Sequence, residues 1–190
     1  MPMHYAFSDA AVLAAGAWGA IRLWPHGHRL AALGMAGFSL AAAIGVIRFG
    51  SGEVESFAAL HTTASQVLGL AGSAALVGCL SIDSTTGRAA GAFAAAVVTA
   101  TVIHRFAPLL MAPLVVGAIT AGVLLGTWRA ARRKQQWFVP LGFAILLVDM
   151  LLVRRNPMLG ADVAWHGYHL LIALGLLLIA RGIEGEARSI

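Results

Sequence analysis

Charge is scarce in this sequence: 11% of its 190 residues are Asp, Glu, Lys or Arg, against 59% that are hydrophobic. A soluble domain carries about a quarter charged residues, so water is excluded as the solvent for most of this chain. Cysteine is scarcer still. Cys79 stands alone in an apolar run, which excludes an intrachain disulfide and any thiolate-rich metal site and leaves it as core filler. Met1 to Phe7 holds no Lys or Arg, so the basic region of a secretory signal peptide is missing and the first helix is expected to be retained. The last apolar run lacks lysine, which removes a retinal Schiff base. Phosphate-cradling and dinucleotide-type glycine motifs are absent, as are the inverted repeats that mark many transporters.

What is present is a series of apolar stretches with short polar breaks. They lie near 8–24, 29–49, 56–80, 87–104, 107–128, 136–153 and 161–181. A spanning helix needs about 20 apolar residues, so the chain is expected to form an all-α, polytopic integral membrane bundle of about seven transmembrane helices. Residues 1–190 then make one transmembrane domain, with no room for a soluble one. The breaks have turn chemistry: Pro25-His26-Gly27, Gly50-Ser51-Gly52, Asp83-Ser84-Thr85 and Asn156-Pro157 with Gly160. Between the fourth and fifth stretches only Arg105 to Pro108 is left for a tight turn, and without it the count falls to six.

Seven spans put the termini on opposite sides. With the N-terminus outside, nine basic residues lie inside (Arg22, Arg29, Arg88, Arg129, Arg132, Arg133, Lys134, Arg181, Arg188) and four outside (Arg48, Arg105, Arg154, Arg155). The positive-inside rule therefore favours N-out and C-in, in the inner membrane of a cell. Small residues recur four apart, as in Gly16 and Ala20, Gly37, Ala41 and Gly45, and Gly87, Gly91 and Ala95, a spacing that lets helix backbones approach closely in lipid.

Polar residues gather toward the outer end. Asp162, His166 and His169 lie within about 60° of one another at helical periodicity and form one stripe. His61, Ser65, Gly69 and Ser73 form an i, i+4 row that points His61 into the bundle. His61, His166 and His169 together would supply three imidazole nitrogens and leave a fourth metal position for water, the arrangement of catalytic zinc. Asp162 or Glu55 could then orient an imidazole or act as general base. His104 is a further candidate ligand. The plainer reading has Asp162 capping its helix, His166 and His169 in an interfacial belt with Trp165 and Tyr168, and His61 bonded within the core. Asp149 lies about one turn inside the outer end, where an unpaired carboxylate is costly, so a structural ion pair is expected, with Arg48 foremost and Arg154 or Arg105 as alternatives. Ser8-Asp9 reads most simply as a helix cap.

Seven helices, an outside N-terminus and the histidines of Ala164-Trp165-His166-Gly167-Tyr168-His169 at the start of the last helix resemble the alkaline ceramidase and progestin/adipoQ receptor superfamily. Those are seven-helix proteins with an intramembrane zinc site. Their pattern has Ser and His one turn apart on the second helix, Asp on the third and two histidines four apart on the seventh. Here the histidines are three apart, the second span ends Ile47-Arg48-Phe49-Gly50, and the third brings His61. Over most of its length the chain is also similar to a group of uncharacterised bacterial seven-helix membrane proteins, on the strength of Ser8-Asp9, Tyr168-His169-Leu170-Leu171 and Arg181-Gly182. That likeness implies an architecture and no activity.

Three functions follow from these residues. The first is a non-catalytic subunit, or a bundle that binds lipid, a small ligand or a partner protein through a histidine- and carboxylate-rich pocket at its outer end. Membrane lipids and membrane protein subunits are its expected partners, and nucleic acid is not. The second is a zinc-dependent intramembrane hydrolase of a lipid amide or ester, which the ceramidase resemblance implies. The third is a haem protein with two histidines as axial ligands.

Overall fold

The computed structural model describes residues 3–81, 85–133, 137–154 and 156–187. Among the described residues each apolar stretch becomes a helix, and no strand forms: α1 (Tyr5–Leu23), α2 (Arg29–Gly50), α3 (Ala58–Gly78), α4 (Thr86–Phe106), α5 (Met111–Arg133), α6 (Phe138–Val148) and α7 (Ala161–Ala187). The breaks are where local chemistry requires them. Gly27 and Gly52 take positive φ, 82° and 79°, and turn the chain after α1 and α2. Pro108 opens a 3-10 turn, Pro108–Leu110, that separates α4 from α5 and settles the tightest break in favour of two helices. The break at Asp83 and Ser84, and the charges of Lys134, Arg155 and Arg188, lie outside the described residues.

Four segments are long and apolar enough to cross a membrane: α2, α4, α5 with its preceding turn, and α7. The helices α1 and α3 are as long but more polar, because α1 carries Asp9 and Arg22, and α3 carries His61, Ser65, Gln66 and Ser73. α6 has eleven regular residues and then widens into a π-turn over Asp149–Val153, in which the Arg154 amide donates to the Asp149 carbonyl at 3.0 Å. The basic residues Arg129 and Arg132 were expected in a loop but form the last turns of α5, where cations oppose the negative end of the helix dipole.

α1 lies between α2 and α7, and the contacts continue α7 to α6, α6 to α5, α5 to α3 and α3 to α2, closing a ring of six helices. α4 sits outside the ring against α2 and α3. Backbones meet at glycines. A Cβ on Gly34 would stand 2.9 Å from the Gly72 carbonyl oxygen and one on Gly72 3.0 Å from that of Gly34, which fixes the crossing of α2 and α3. Gly142 and Gly175 do the same for α6 and α7, at 2.6 and 3.0 Å. Gly16 rides on the Met35 carbonyl, while Gly122 receives the ring of Phe143. Around these crossings Leu23, Met35, Leu76, Phe143, Leu176 and Ile179 form the buried core. At the end of the bundle where α1 finishes, Arg22 is paired with the buried Glu184 of α7, and Arg129 donates to the Leu80 carbonyl. The row on α4 behaves differently from the expectation: Gly87 and Gly91 face open space, because α4 turns Ala89 and Ala100 inward instead.

These contacts make an asymmetric expectation. Gly142→Ala drives a methyl into a backbone carbonyl that cannot move and should cost about 1–3 kcal/mol in detergent unfolding. Gly91→Ala should change stability by less than about 0.5 kcal/mol.

Candidate ligand cavity

The ring of helices is not filled throughout. Toward the end where α1 begins it encloses a cavity of about 680 Å³, walled by every helix except α4. Interiors are close-packed, and a space this size falls in the range of small-molecule sites rather than of packing defects. Thr62, Ser65, Pro108, Leu109, Arg154 and Ala161 line the space and are also exposed, so it opens beside the turns that join α4 to α5 and α6 to α7. The wall is mostly aliphatic, from Val12, Val115, Ile119, Leu146 and Ile172 among others. The row expected on α3 is one of its walls: His61, Ser65, Gly69 and Ser73 all face the cavity.

The polar groups are held by specific bonds. Asp9 is 1% exposed and is no cap, because α1 begins one turn earlier at Tyr5 and carries Asp9 on its buried stripe with Tyr5, Val12 and Gly16. Its carboxyl group lies against the bare backbone of Gly45, where an added Cβ would come within 2.7 Å of Oδ2. From there Oδ1 reaches Nε2 of His169 at 3.1 Å. The other ring nitrogen of His169 is 2.8 Å from the Trp165 carbonyl. A carbonyl only accepts, so Nδ1 carries a hydrogen, and a single further proton joins Nε2 to Asp9. One turn further along α2 from Gly45, Arg48 donates from Nε to the Val54 carbonyl at 2.8 Å, and its Nη1 lies 3.3 Å from Nδ1 of His61. A guanidinium only donates, so His61 accepts at Nδ1 and keeps its hydrogen on Nε2. Trp165 packs against both imidazoles, with ring centroids 4.5 Å from His169 and 6.4 Å from His61, and Phe49 closes the cluster.

Several expected sites are not brought together. Asp149 is fully buried, but Arg48 is not its partner: Arg48 is turned to Val54 and His61, and neither carboxyl oxygen of Asp149 has a hydrogen-bond partner among the described residues. The polar stripe of α7 splits. His166 turns to the start of α1, 5.1 Å from the ring of His4, and Asp162 accepts a hydrogen bond from Tyr5 with His4 3.7 Å away, while His169 faces the cavity. Glu55 is exposed in the turn between α2 and α3 and does not line the cavity. His104 ties α4 to α3 through Gln66, at 2.9 Å, and Thr63.

The residues therefore do not fit the zinc that His61, His166 and His169 were expected to hold. Among the described residues no three of His, Cys, Asp and Glu are placed to bind a metal ion. His166 points away, and the Nδ1 of His61 is occupied by a guanidinium that would repel a cation. Nor is there a slot for haem between His61 and His169, because the indole of Trp165 packs on both. Asp9 is the residue that the sequence reading missed, although its place one turn from Tyr5 and Val12 on a stripe ending in Gly16 marked it as inward-facing.

Fold and cavity together define a helical bundle, with four helices long and apolar enough to cross a membrane, around a largely apolar pocket that holds a cluster of polar side chains. The chain matches no protein-family model, no curated protein and no solved structure.

Removing one member of the Asp9 and His169 pair leaves the other buried without a partner, so His169→Ala should destabilise the bundle by about 3 kcal/mol in unfolding titrations. Asp9→Asn combined with it should cost less than the sum of the single changes by about 1 kcal/mol or more. Asp149→Leu should act in the opposite direction, raising stability by about 1–3 kcal/mol, since an unsatisfied buried group is replaced by an apolar one of similar size.

Proposed function

We propose that this chain is a non-catalytic, seven-span inner-membrane protein that binds a lipid or small amphipathic ligand in the cavity of its outer half. The observation that carries the reading is the cavity itself, a space of about 680 Å³ with a largely apolar wall, a set of fixed polar groups and an opening to the outside. A ligand with an apolar body and a polar end complements such a wall. The chemistry of the wall favours binding over catalysis. Each imidazole is committed to a neighbour, His61 to Arg48 and His169 to Asp9 and the Trp165 carbonyl.

The orientation is supported by the basic residues, nine on one side and four on the other. Trp24, Trp128 and Trp137 are exposed at the end of the bundle that carries Arg22 and Arg129, as an interfacial aromatic belt on the inner side requires. With the N-terminus outside, the cavity then opens toward the outer side.

Gly69 provides the test. It lines the cavity, and a Cβ added there meets nothing within 4 Å, so Gly69→Leu fills the space without disturbing the wall. Native mass spectrometry of the protein in phosphatidylcholine nanodiscs, titrated with dodecanol, dodecanoate and dodecylamine, should show one-to-one binding of at least one amphiphile. That binding should weaken about tenfold or more in Gly69→Leu, with the thermal unfolding of the variant unchanged. Equal binding to the variant, or no binding at all, would overturn the reading.

A further inference from the structure

Five buried polar atoms of the cavity wall have no hydrogen-bond partner among the described residues: four are oxygens, on Asp149, Asp9 and Ser73, and the fifth is the indole nitrogen of Trp165. Asp149 is 0% exposed, faces the cavity, and has neither carboxyl oxygen hydrogen-bonded among the described residues. Asp9 uses Oδ1 for His169, but Oδ2 has no partner. The hydroxyl of Ser73, 1% exposed, is likewise unmatched. These three residues belong to α6, α1 and α3 and line the same space. Two cationic side chains face it, and neither is hydrogen-bonded to Asp149, although Arg154 acts on that carboxyl group through space. Arg48 is bonded to Val54 and His61, and Arg154 lies 5.2 Å above the ring of Tyr168 with Nη1 3.8 Å from the sulfur of Met150.

Buried polar atoms are almost always hydrogen-bonded, so a cluster of buried acceptors around a cavity is a site for a group rich in donors. A carboxylate or phosphate brings only further acceptors to these oxygens. A hydroxyl offers one hydrogen, and a quaternary ammonium offers none. A primary ammonium offers three, together with the opposite charge. Asp149 also stands where α6 widens into a π-turn, a distortion frequent at functional sites.

We propose that the ligand is an amine-bearing amphiphile, with its ammonium group bound by Asp149, assisted by Oδ2 of Asp9 and the Ser73 hydroxyl, and its chain lying along the aliphatic wall. This rests on the cavity being the binding site, and the experiment separates the two claims. With the protein in phosphatidylcholine nanodiscs, dodecylamine should bind about tenfold or more tightly than dodecanol, and dodecanoate should bind worst. Asp149→Asn, which keeps the shape of the side chain, should abolish the preference for the amine while dodecanol still binds, which also shows that the variant is folded. Ser73→Ala should reduce the preference by a smaller factor. If dodecanol and dodecylamine bind alike, or if Asp149→Asn leaves the preference intact, the amine assignment is wrong although the cavity still binds amphiphiles. If none of the three probes binds, or all bind Gly69→Leu as well as the unchanged protein, both claims fall.

Discussion

Backbone contact at glycine is the constraint on which the rest of this bundle depends. In lipid the hydrophobic effect gives helices no reason to associate, and what remains is close packing with the weak attractions that close packing permits. Gly34 against Gly72 and Gly142 against Gly175 put two pairs of helices in backbone contact, each glycine lying on the carbonyl of the other. With α2 locked to α3 and α6 locked to α7, α1 enters between α2 and α7, where Gly16 lies on the Met35 carbonyl. The remaining gap between α3 and α6 is bridged by α5, and α4 is left outside. A ring closed in this way is tight where the glycines are and need not be tight elsewhere. The cavity occupies the part of the ring beyond those crossings.

Glycine also sets the electrostatics. Gly45 is the position on α2 facing Asp9, and its missing side chain is the space in which the carboxyl group sits. That places an acid within reach of His169 on α7, so one polar contact joins helices that already meet through apolar packing. One turn further along α2, Arg48 and His61 form a second such contact between α2 and α3, with the loop carbonyl of Val54 as the third member. Both arrangements follow the general rule that a polar group buried in a membrane faces a partner in the interior. Asp149 departs from that rule, and so carries more information than the satisfied groups around it.

Much of the architecture was legible in the sequence, and the reason is physical. Helix breaks are local events, produced here by the turn clusters Pro25-His26-Gly27 and Gly50-Ser51-Gly52 and by Pro108. The row His61, Ser65, Gly69 and Ser73 was legible because periodicity on a single helix is also local. What depended on pairs of helices was not legible. Asp9 resembled a cap until α1 was seen to begin before it, and its partner His169 could not be chosen over His166 without knowing which face of α7 meets α1. Asp149 and Arg48 were paired on charge and depth alone, whereas the turn at Val54 and the imidazole of His61 compete successfully for the guanidinium. The row on α4 had the spacing of a packing face but no helix opposite it, because α5 and not α4 closes the ring.

The remaining question is why a bundle so economical at its crossings should keep both a large space and an acid with no partner beside it. Either feature alone has a simple remedy: larger side chains fill a void, and an apolar residue replaces a buried carboxylate at a gain in stability. At Gly69 a side chain could enter the space without collision, yet none is there. At Asp149 the neighbours Leu146 and Met150 show that apolar residues suit the wall. A void and an unmatched carboxyl group in the same place are mutually explained by one occupant, whose body removes the first cost and whose donors remove the second. An empty cavity would leave both costs standing, and a purely structural role for the polar cluster would leave the carboxyl group of Asp149 without a reason to be there.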